Sequence, residues 1–227
     1  MAKMVHNIPI TNGGIDMASK SKAGEVSPGA VLAEYVGTFM LAFAVLASVN
    51  GVMGSFIPTA AVAGFTLFLA ALSIGGISGA HINPGVTLGL FSLRKVNAET
   101  AVSYVIAQVA GAFSASAIMN TLLDAEVLTL TAGDFDTRVF VAEALGMLFF
   151  GLGVAAAVHN KYKGLEAAAL VGGSLFFGIL VASVLSNGIL NPAVAFALES
   201  VNVTYLLAPV LGAALGMHLY NYIATHD

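Results

Sequence analysis

Apolar residues form long, nearly charge-free runs along the chain, and short polar stretches separate them. A helix that crosses a ~30 Å hydrocarbon core needs ~20 residues at ~1.5 Å per residue. Six runs meet this length, at about 30–50, 57–79, 98–121, 138–158, 166–186 and 203–223. They lack the ten-residue alternation of membrane β-strands. The pattern therefore predicts an all-α integral membrane protein with six transmembrane helices.

Two shorter apolar segments, at about 83–93 and 191–199, do not fit this series. At ~1.5 Å per residue, each reaches about half of a bilayer. They begin with Asn83-Pro84-Gly85 and Asn191-Pro192-Ala193. Asparagine is a good N-cap, and proline at the first helical position gives up an N–H that has no intrahelical partner. We therefore expect two half-helices, entered through re-entrant loops at residues 75–79 and 187–188.

Three marks recur in the same order in the two halves of the chain. Glu34 in Ala-Glu-x-x-Gly matches Glu143, Asn83-Pro84 matches Asn191-Pro192, and the segment from Tyr104 matches that from Tyr205. We infer a duplication, with repeats at about 29–122 and 137–227. Each repeat holds three spans, so the second copy is inverted. Inverted repeats with interrupted helices place their site near the bilayer midplane.

Basic residues indicate the orientation of the spans. Lysines 3, 20 and 22 precede the first span, Arg94 and Lys95 follow the second, and Lys161 and Lys163 follow the fourth. Six spans place all of these on one side and leave only Arg138 on the other. The positive-inside rule then predicts cytoplasmic termini, with the plasma membrane as the expected location. The acidic loop residues Asp124, Glu126, Asp134 and Asp136 are expected outside.

Composition narrows the class further. Of 227 residues, 58% are hydrophobic and 9% are charged, against roughly 25% charged residues in a soluble domain. Residues 1–28 are polar and lack the apolar core of a signal peptide, so they are expected to be a flexible cytoplasmic tail before a single membrane domain at 29–227. There is no cysteine, and no nucleophile–base set or phosphate loop is evident. We expect no enzyme activity, cofactor, metal or nucleic-acid partner.

Inverted half-helices would meet with their N-termini at the midplane. Each would bring about +0.5 charge from its dipole, which repels cations and protons and offers amide donors to a passing oxygen atom. The predicted pore centre comprises Asn83, Pro84, Gly85, Asn191, Pro192 and Ala193.

The segment from Ser78 to Thr87, SGAHINPGVT, resembles the signature of the aquaporin, or major intrinsic protein, family. The resemblance covers nearly the whole chain after residue 28. It implies a right-handed bundle of six tilted helices and two half-helices, assembled as a homotetramer with one pore per subunit. It also implies that Glu34 and Glu143 accept hydrogen bonds from the re-entrant loops and that His81 braces its loop. A proton relay is the alternative for the two glutamates.

The resemblance places a selectivity filter at Ala63, Ile179, Gly188 and Val194. A water-selective relative would have an aromatic residue, a histidine, a small residue and an arginine there. Valine supplies neither the charge nor the N–H donors of arginine, so the filter is expected to be wider and less polar.

The sequence thus predicts a passive channel for water, small uncharged solutes or both. One alternative is a facilitator of glycerol, urea, ammonia or gases that conducts water poorly. Others are a coupled secondary transporter, which also uses inverted repeats, and a structural junction protein with a vestigial pore.

Overall fold

The computed structural model describes residues 26–51, 56–123 and 128–226. The expected tail, apart from its last three residues, and the acidic residues Asp124 and Glu126 lie outside this description. Within it the fold is entirely helical. The helices are α1 (Pro28–Gly51), α2 (Phe56–Ser78), α3 (Pro84–Ser92), α4 (Ala98–Leu123), α5 (Thr137–His159), α6 (Gly164–Ala182), α7 (Pro192–Ala197) and α8 (Val203–Thr225).

Six of the helices, all but α3 and α7, are long and apolar enough to cross a membrane. This confirms the predicted number and order of spans. The span expected at 57–79 matches α2, but the expected start of the re-entrant loop at residue 75 and the expected end of the fifth span at residue 186 were wrong. Helix α2 continues to Ser78, so residues 75–78 are helical and the re-entrant loop begins at Gly79.

Helix α6 ends at Ala182, four residues before the expected end. The chain then makes tight turns in which Ser183 N–H donates to the Ile179 carbonyl and Ser186 N–H donates to the Ala182 carbonyl. These turns bring the Ser186 hydroxyl to the carboxylate of Glu143. The apolar pattern does not change at Ala182, so hydropathy alone could not mark this end.

The two halves meet where α2 packs against α6. A Cβ atom added to Gly172 would lie 2.6 Å from the Gly64 carbonyl oxygen, and one added to Gly64 would lie 2.7 Å from the Gly172 carbonyl oxygen. Gly64 and Gly172 are separated by the same 108 positions as Asn83 and Asn191. Repeat-equivalent residues that contact each other lie on the axis relating the repeats, so the pseudo-two-fold axis passes through this glycine pair.

Replacement of Gly172 by valine is expected to destabilise the fold by about 3 kcal/mol, the upper end of the usual range for overpacking, because the obstructing atoms are backbone. The adjacent Gly173 is the matched control, since a Cβ there would meet nothing within 4 Å. Thermal unfolding in detergent should show a much lower melting temperature for Gly172→Val and a nearly unchanged one for Gly173→Val. Equal melting temperatures would contradict the close packing at the axis.

The half-helices fill the interior of the bundle. Helix α3 packs against α8, and α7 packs against α4, which is the repeat-equivalent arrangement. Both start at buried asparagine residues, so their N-termini are directed to the centre of the molecule.

Candidate pore and its supporting network

The two asparagines cap the half-helices. Asn83 and Asn191 both have extended backbone, with φ of −158° and −146°. The Asn83 Oδ1 accepts a hydrogen bond from the Gly85 N–H at 2.8 Å. The Asn191 Oδ1 accepts from the N–H groups of Ala193 at 3.0 Å and Val194 at 3.3 Å. Each cap satisfies N–H groups that have no intrahelical partner.

Each asparagine also binds the opposite half of the molecule. The Asn83 Nδ2 donates to the carbonyl of Leu190 at 2.9 Å, and the Asn191 Nδ2 donates to the carbonyl of Ile82 at 3.0 Å. We call these two hydrogen bonds the asparagine cross-link. A side-chain amide has two N–H donors. One is used here, so each asparagine keeps a second donor.

The residues that receive the cross-link have unusual backbone conformations. Ile82 has φ of 39° and Leu190 has φ of 51°. Residues other than glycine rarely adopt this left-handed backbone region, and each instance costs on the order of 1–3 kcal/mol. In this conformation their carbonyls accept from the asparagines while their N–H groups donate to the buried glutamates.

Glu34 is fully buried and holds the first re-entrant loop. Its Oε1 accepts from the Ser78 hydroxyl at 2.6 Å and from the His81 N–H at 2.9 Å. Its Oε2 accepts from the Ile82 N–H at 2.6 Å and from the Gln108 Nε2 at 2.8 Å. Four donors therefore converge on one carboxylate.

Glu143 makes the equivalent contacts in the second half. Its Oε1 accepts from the Ser186 hydroxyl at 2.7 Å and from the Ile189 N–H at 3.0 Å, and its Oε2 accepts from the Leu190 N–H at 2.8 Å. These three donors correspond to Ser78, His81 and Ile82 at a separation of 108 residues. The serines were not singled out from the sequence, although each lies five residues before its Asn-Pro pair.

The first half has an additional polar network around His81. The His81 Nδ1 lies 3.2 Å from the Thr87 hydroxyl, which also accepts from the Gln108 Nε2 at 2.9 Å. The Tyr104 ring contacts the imidazole edge-on, with ring centroids 5.2 Å apart. The positions equivalent to His81, Thr87 and Gln108 in the second half hold Ile189, Ala195 and Pro209, which cannot form such a network. Gln108 is a contributor that sequence reasoning missed.

The four residues expected to form the filter line one cavity beside Asn191. Its volume is about 30 Å³, and a water molecule needs roughly 10–15 Å³ on this scale. We call it the filter cavity. It is lined by Leu41, Val45, Thr59, Ala63, Leu130, Leu175, Ile179, Asn187, Gly188, Ile189, Asn191, Val194 and Leu198. None of these side chains is charged.

The other residues expected at the pore centre are buried behind the asparagines. Pro84 and Pro192 occupy the first position of each half-helix. A Cβ atom at Gly85 would lie 2.9 Å from the Met147 Cε and 3.2 Å from the Pro209 carbonyl oxygen. The glycine is therefore closely packed. Ala193 is fully buried at the equivalent position.

Apart from the two buried glutamates, the ionisable side chains near the pore are few, and none of them lines the filter cavity. Across residues 26–51, 56–123 and 128–226, the ion pair within 4 Å is that of Asp136 and Arg138, at 2.7 Å. Asp136 caps α5, and hydrogen bonds from Arg138 hold the pKa of its carboxyl below the usual range. In the same part of the chain, no group of three histidine, aspartate or glutamate residues is placed to hold a metal.

Comparison with known proteins agrees with this architecture. The profile of the family described as Major intrinsic protein matches residues 22–220. The chain is 34% identical to Glycerol uptake facilitator protein-like 6 of Lactiplantibacillus plantarum, over 86% of this chain and 98% of that protein. It is 32% identical to Nodulin-26 of Glycine max, over 87% of this chain and 78% of that protein.

The fold also matches a solved structure. The aquaglyceroporin from Plasmodium falciparum aligns with a TM-score of 0.71 at 20% identity, covering 86% of this chain and 95% of that one. Six spans around two half-helices define a multi-pass membrane channel of inverted repeats. The chain belongs to the major intrinsic protein family.

Proposed function

We propose that this passive channel for water or small neutral solutes favours uncharged solutes less polar than water. The observation that carries the proposal is the uncharged, largely apolar wall of the filter cavity, in which Val194 provides no donor. An apolar constriction resists wetting. Water crosses it slowly, while a solute with apolar surface loses less hydration on entry.

Selection against ions is assigned to the pore centre. The second N–H of Asn83 and of Asn191 orients the oxygen of a permeant, since the first is used in the cross-link. A cation at this point would meet donors instead of acceptors, and it would have lost its hydration shell. Pro84, Pro192, Gly85 and Ala193 are proposed to hold these donors in place.

Glu34, Glu143 and His81 are proposed to support the loops. The hydrogen bonds to the two carboxylates come from backbone N–H groups, two serine hydroxyls and the Gln108 amide, none of which is an acid or base at neutral pH. This arrangement supports a structural role over a proton relay or an ion-coupling site.

Osmotic shrinkage of proteoliposomes, followed by light scattering, tests the function. Vesicles with the wild-type channel should be clearly more permeable to glycerol or urea than empty vesicles. Their permeability to water should exceed that of empty vesicles only slightly. Val194→Arg should lower permeability to glycerol on the order of tenfold or more, because a cation with several donors fills the cavity and binds water.

Val201→Arg is the matched control, since Val201 is exposed and does not line the cavity. It should leave permeability unchanged. Unchanged glycerol flux in Val194→Arg would show that Val194 is not at the constriction. Wild-type flux equal to that of empty vesicles for every solute would reject the function.

Orientation and assembly are further proposals. With six spans, the basic loop residues Arg94, Lys95, Lys161 and Lys163 fall on one side, which supports cytoplasmic termini. The plasma membrane is proposed as the location. The chain has no cysteine, so a single cysteine placed at Lys161 or Asp134 can report sidedness with an impermeant maleimide. Labelling from outside is expected only at Asp134. A homotetramer is proposed from the family, and mass measurement in detergent tests it.

A further inference from the structure

The turn between α3 and α4 borders an open pocket that contains two cationic side chains. The pocket has a volume of about 640 Å³ and is lined by Phe91, Ser92, Arg94, Lys95, Val96 and Asn97. In the part of the chain that the structure describes, neither Arg94 nor Lys95 has a carboxylate within 4 Å. Glu99 follows in α4 but does not line the pocket. We call this site, with its two positive charges and no negative side chain, the basic pocket.

Backbone hydrogen bonds fix the turn that carries the two cations. The Arg94 N–H donates to the Phe91 carbonyl and the Lys95 N–H donates to the Leu90 carbonyl, both at 2.9 Å. Arg94 has a φ of 57°, which turns the chain back after α3. Both residues are exposed. The turn is therefore held by its backbone, and the two charged groups remain available to a ligand.

Asn97 adds hydrogen-bond donors to the same pocket. Its Oδ1 accepts from the Thr100 N–H at 2.8 Å and so caps the start of α4. The Nδ2 group, which carries two N–H donors, takes no part in this cap. The N-terminus of this 26-residue helix also carries a partial positive charge. All of these groups favour an anion in the basic pocket.

Phe91 gives the basic pocket an apolar side, since this residue is 43% exposed. The turn directly precedes α4, which is long and apolar enough to cross a membrane, so the pocket lies at the level of the lipid headgroups. A phospholipid carries a phosphate at this level and apolar chains directly beside it. A free phosphate ion has the charge but no group that would contact Phe91. Charge complementarity and the exposed ring together favour a lipid.

We propose that the basic pocket binds an anionic phospholipid, with Arg94 and Lys95 donating to its phosphate and Phe91 contacting the upper part of its chains. A guanidinium donates to phosphate through two parallel N–H groups, and an ammonium adds a point charge. A zwitterionic lipid fits less well, because its own cation would approach the two basic side chains. The site is separate from the filter cavity, and it does not depend on which solute the channel passes.

Native mass spectrometry of the intact channel in detergent tests the proposal. Dimyristoyl phosphatidylglycerol and dimyristoyl phosphatidylcholine have the same chains and differ in headgroup charge. The first bound phosphatidylglycerol should have a dissociation constant on the order of tenfold lower than that of phosphatidylcholine. The double variant Arg94→Gln, Lys95→Gln should lose this preference. Phe91→Ala should weaken phosphatidylglycerol binding by a smaller factor, because it removes the apolar contact and keeps both charges.

The double variant Lys161→Gln, Lys163→Gln is the matched control. It removes the same charge from the loop between α5 and α6. Lys161 has a φ of 54°, and its N–H donates to the Val158 carbonyl, so this turn resembles the one at Arg94. The control should keep the preference for phosphatidylglycerol. All of these substitutions are at exposed positions, and melting temperatures close to that of the wild type would show that the variants fold.

Three results would overturn the inference. Equal affinity of the wild-type channel for the two lipids would show that the pocket does not recognise the anionic headgroup. An equal loss in the two double variants would assign the preference to general surface charge. Displacement of phosphatidylglycerol by excess inorganic phosphate would assign the site to a free anion. Failure of the proposed function is distinguishable, since it appears as absent solute flux and leaves lipid binding unchanged.

Discussion

Replacing Glu34 by alanine is expected to prevent accumulation of the folded channel. The change leaves four donors without an acceptor in a fully buried region. An unsatisfied buried donor costs about 1–3 kcal/mol, and total stability is about 5–15 kcal/mol. The summed loss is therefore comparable with the whole stability. Size-exclusion chromatography of detergent extracts should show little monodisperse protein.

Glu34→Gln and Glu99→Ala provide the comparison for this prediction. Glutamine keeps the shape and one acceptor oxygen, so we expect a folded protein with a lower melting temperature. Glu99 is exposed in the first turn of α4, and its replacement should have little effect. A monodisperse Glu34→Ala protein without solute flux would instead favour the proton-relay interpretation.

Asn191→Ala is expected to lower solute permeability per folded channel by an order of magnitude or more, corresponding to about 1.4 kcal/mol or more in barrier height. Alanine removes the donor to the Ile82 carbonyl and the second N–H that we assign to the permeant. It also removes the cap from two N–H groups at the start of α7. Stopped-flow permeability, normalised to the channel content of the vesicles, measures the effect.

Asn202→Ala is the matched control for that experiment. Asn202 caps α8 by accepting from the Tyr205 N–H, and it does not line the filter cavity. Loss of an N-cap costs about 1 kcal/mol of stability at either position. Only Asn191→Ala should lose permeability. Equal losses in the two variants would mean that capping, and not the pore-centre donor, accounts for the result.

The features that sequence predicts well depend on local chemistry or on length. Apolar runs longer than a bilayer predict spans because the hydrocarbon sets the length of a helix. Asn83 and Asn191 predict half-helix starts because capping and proline preferences act over a few residues. The filter residues came from the family resemblance, since nothing local distinguishes Ala63 or Val194 from other apolar residues.

The features that sequence did not provide depend on contacts between distant segments. Leu130 lies in a loop without a motif, and it reaches the filter cavity only through hydrogen bonds to Asn187, Leu198 and Ser200. Gln108 lies in an apolar span, and its partners are 74 and 21 residues away. The early end of α6 is likewise associated with a distant contact, the hydrogen bond from the Ser186 hydroxyl to Glu143, 43 residues away.

The asparagine cross-link has a consequence for biosynthesis. Each half-helix start is bonded to a carbonyl more than 100 residues away, so the first half emerges from the ribosome and enters the membrane with its pore-centre bond unmade. The carbonyls of Ile82 and Leu190 gain their asparagine partners only when both halves are present. The pore centre is therefore completed only after the second half of the chain has inserted.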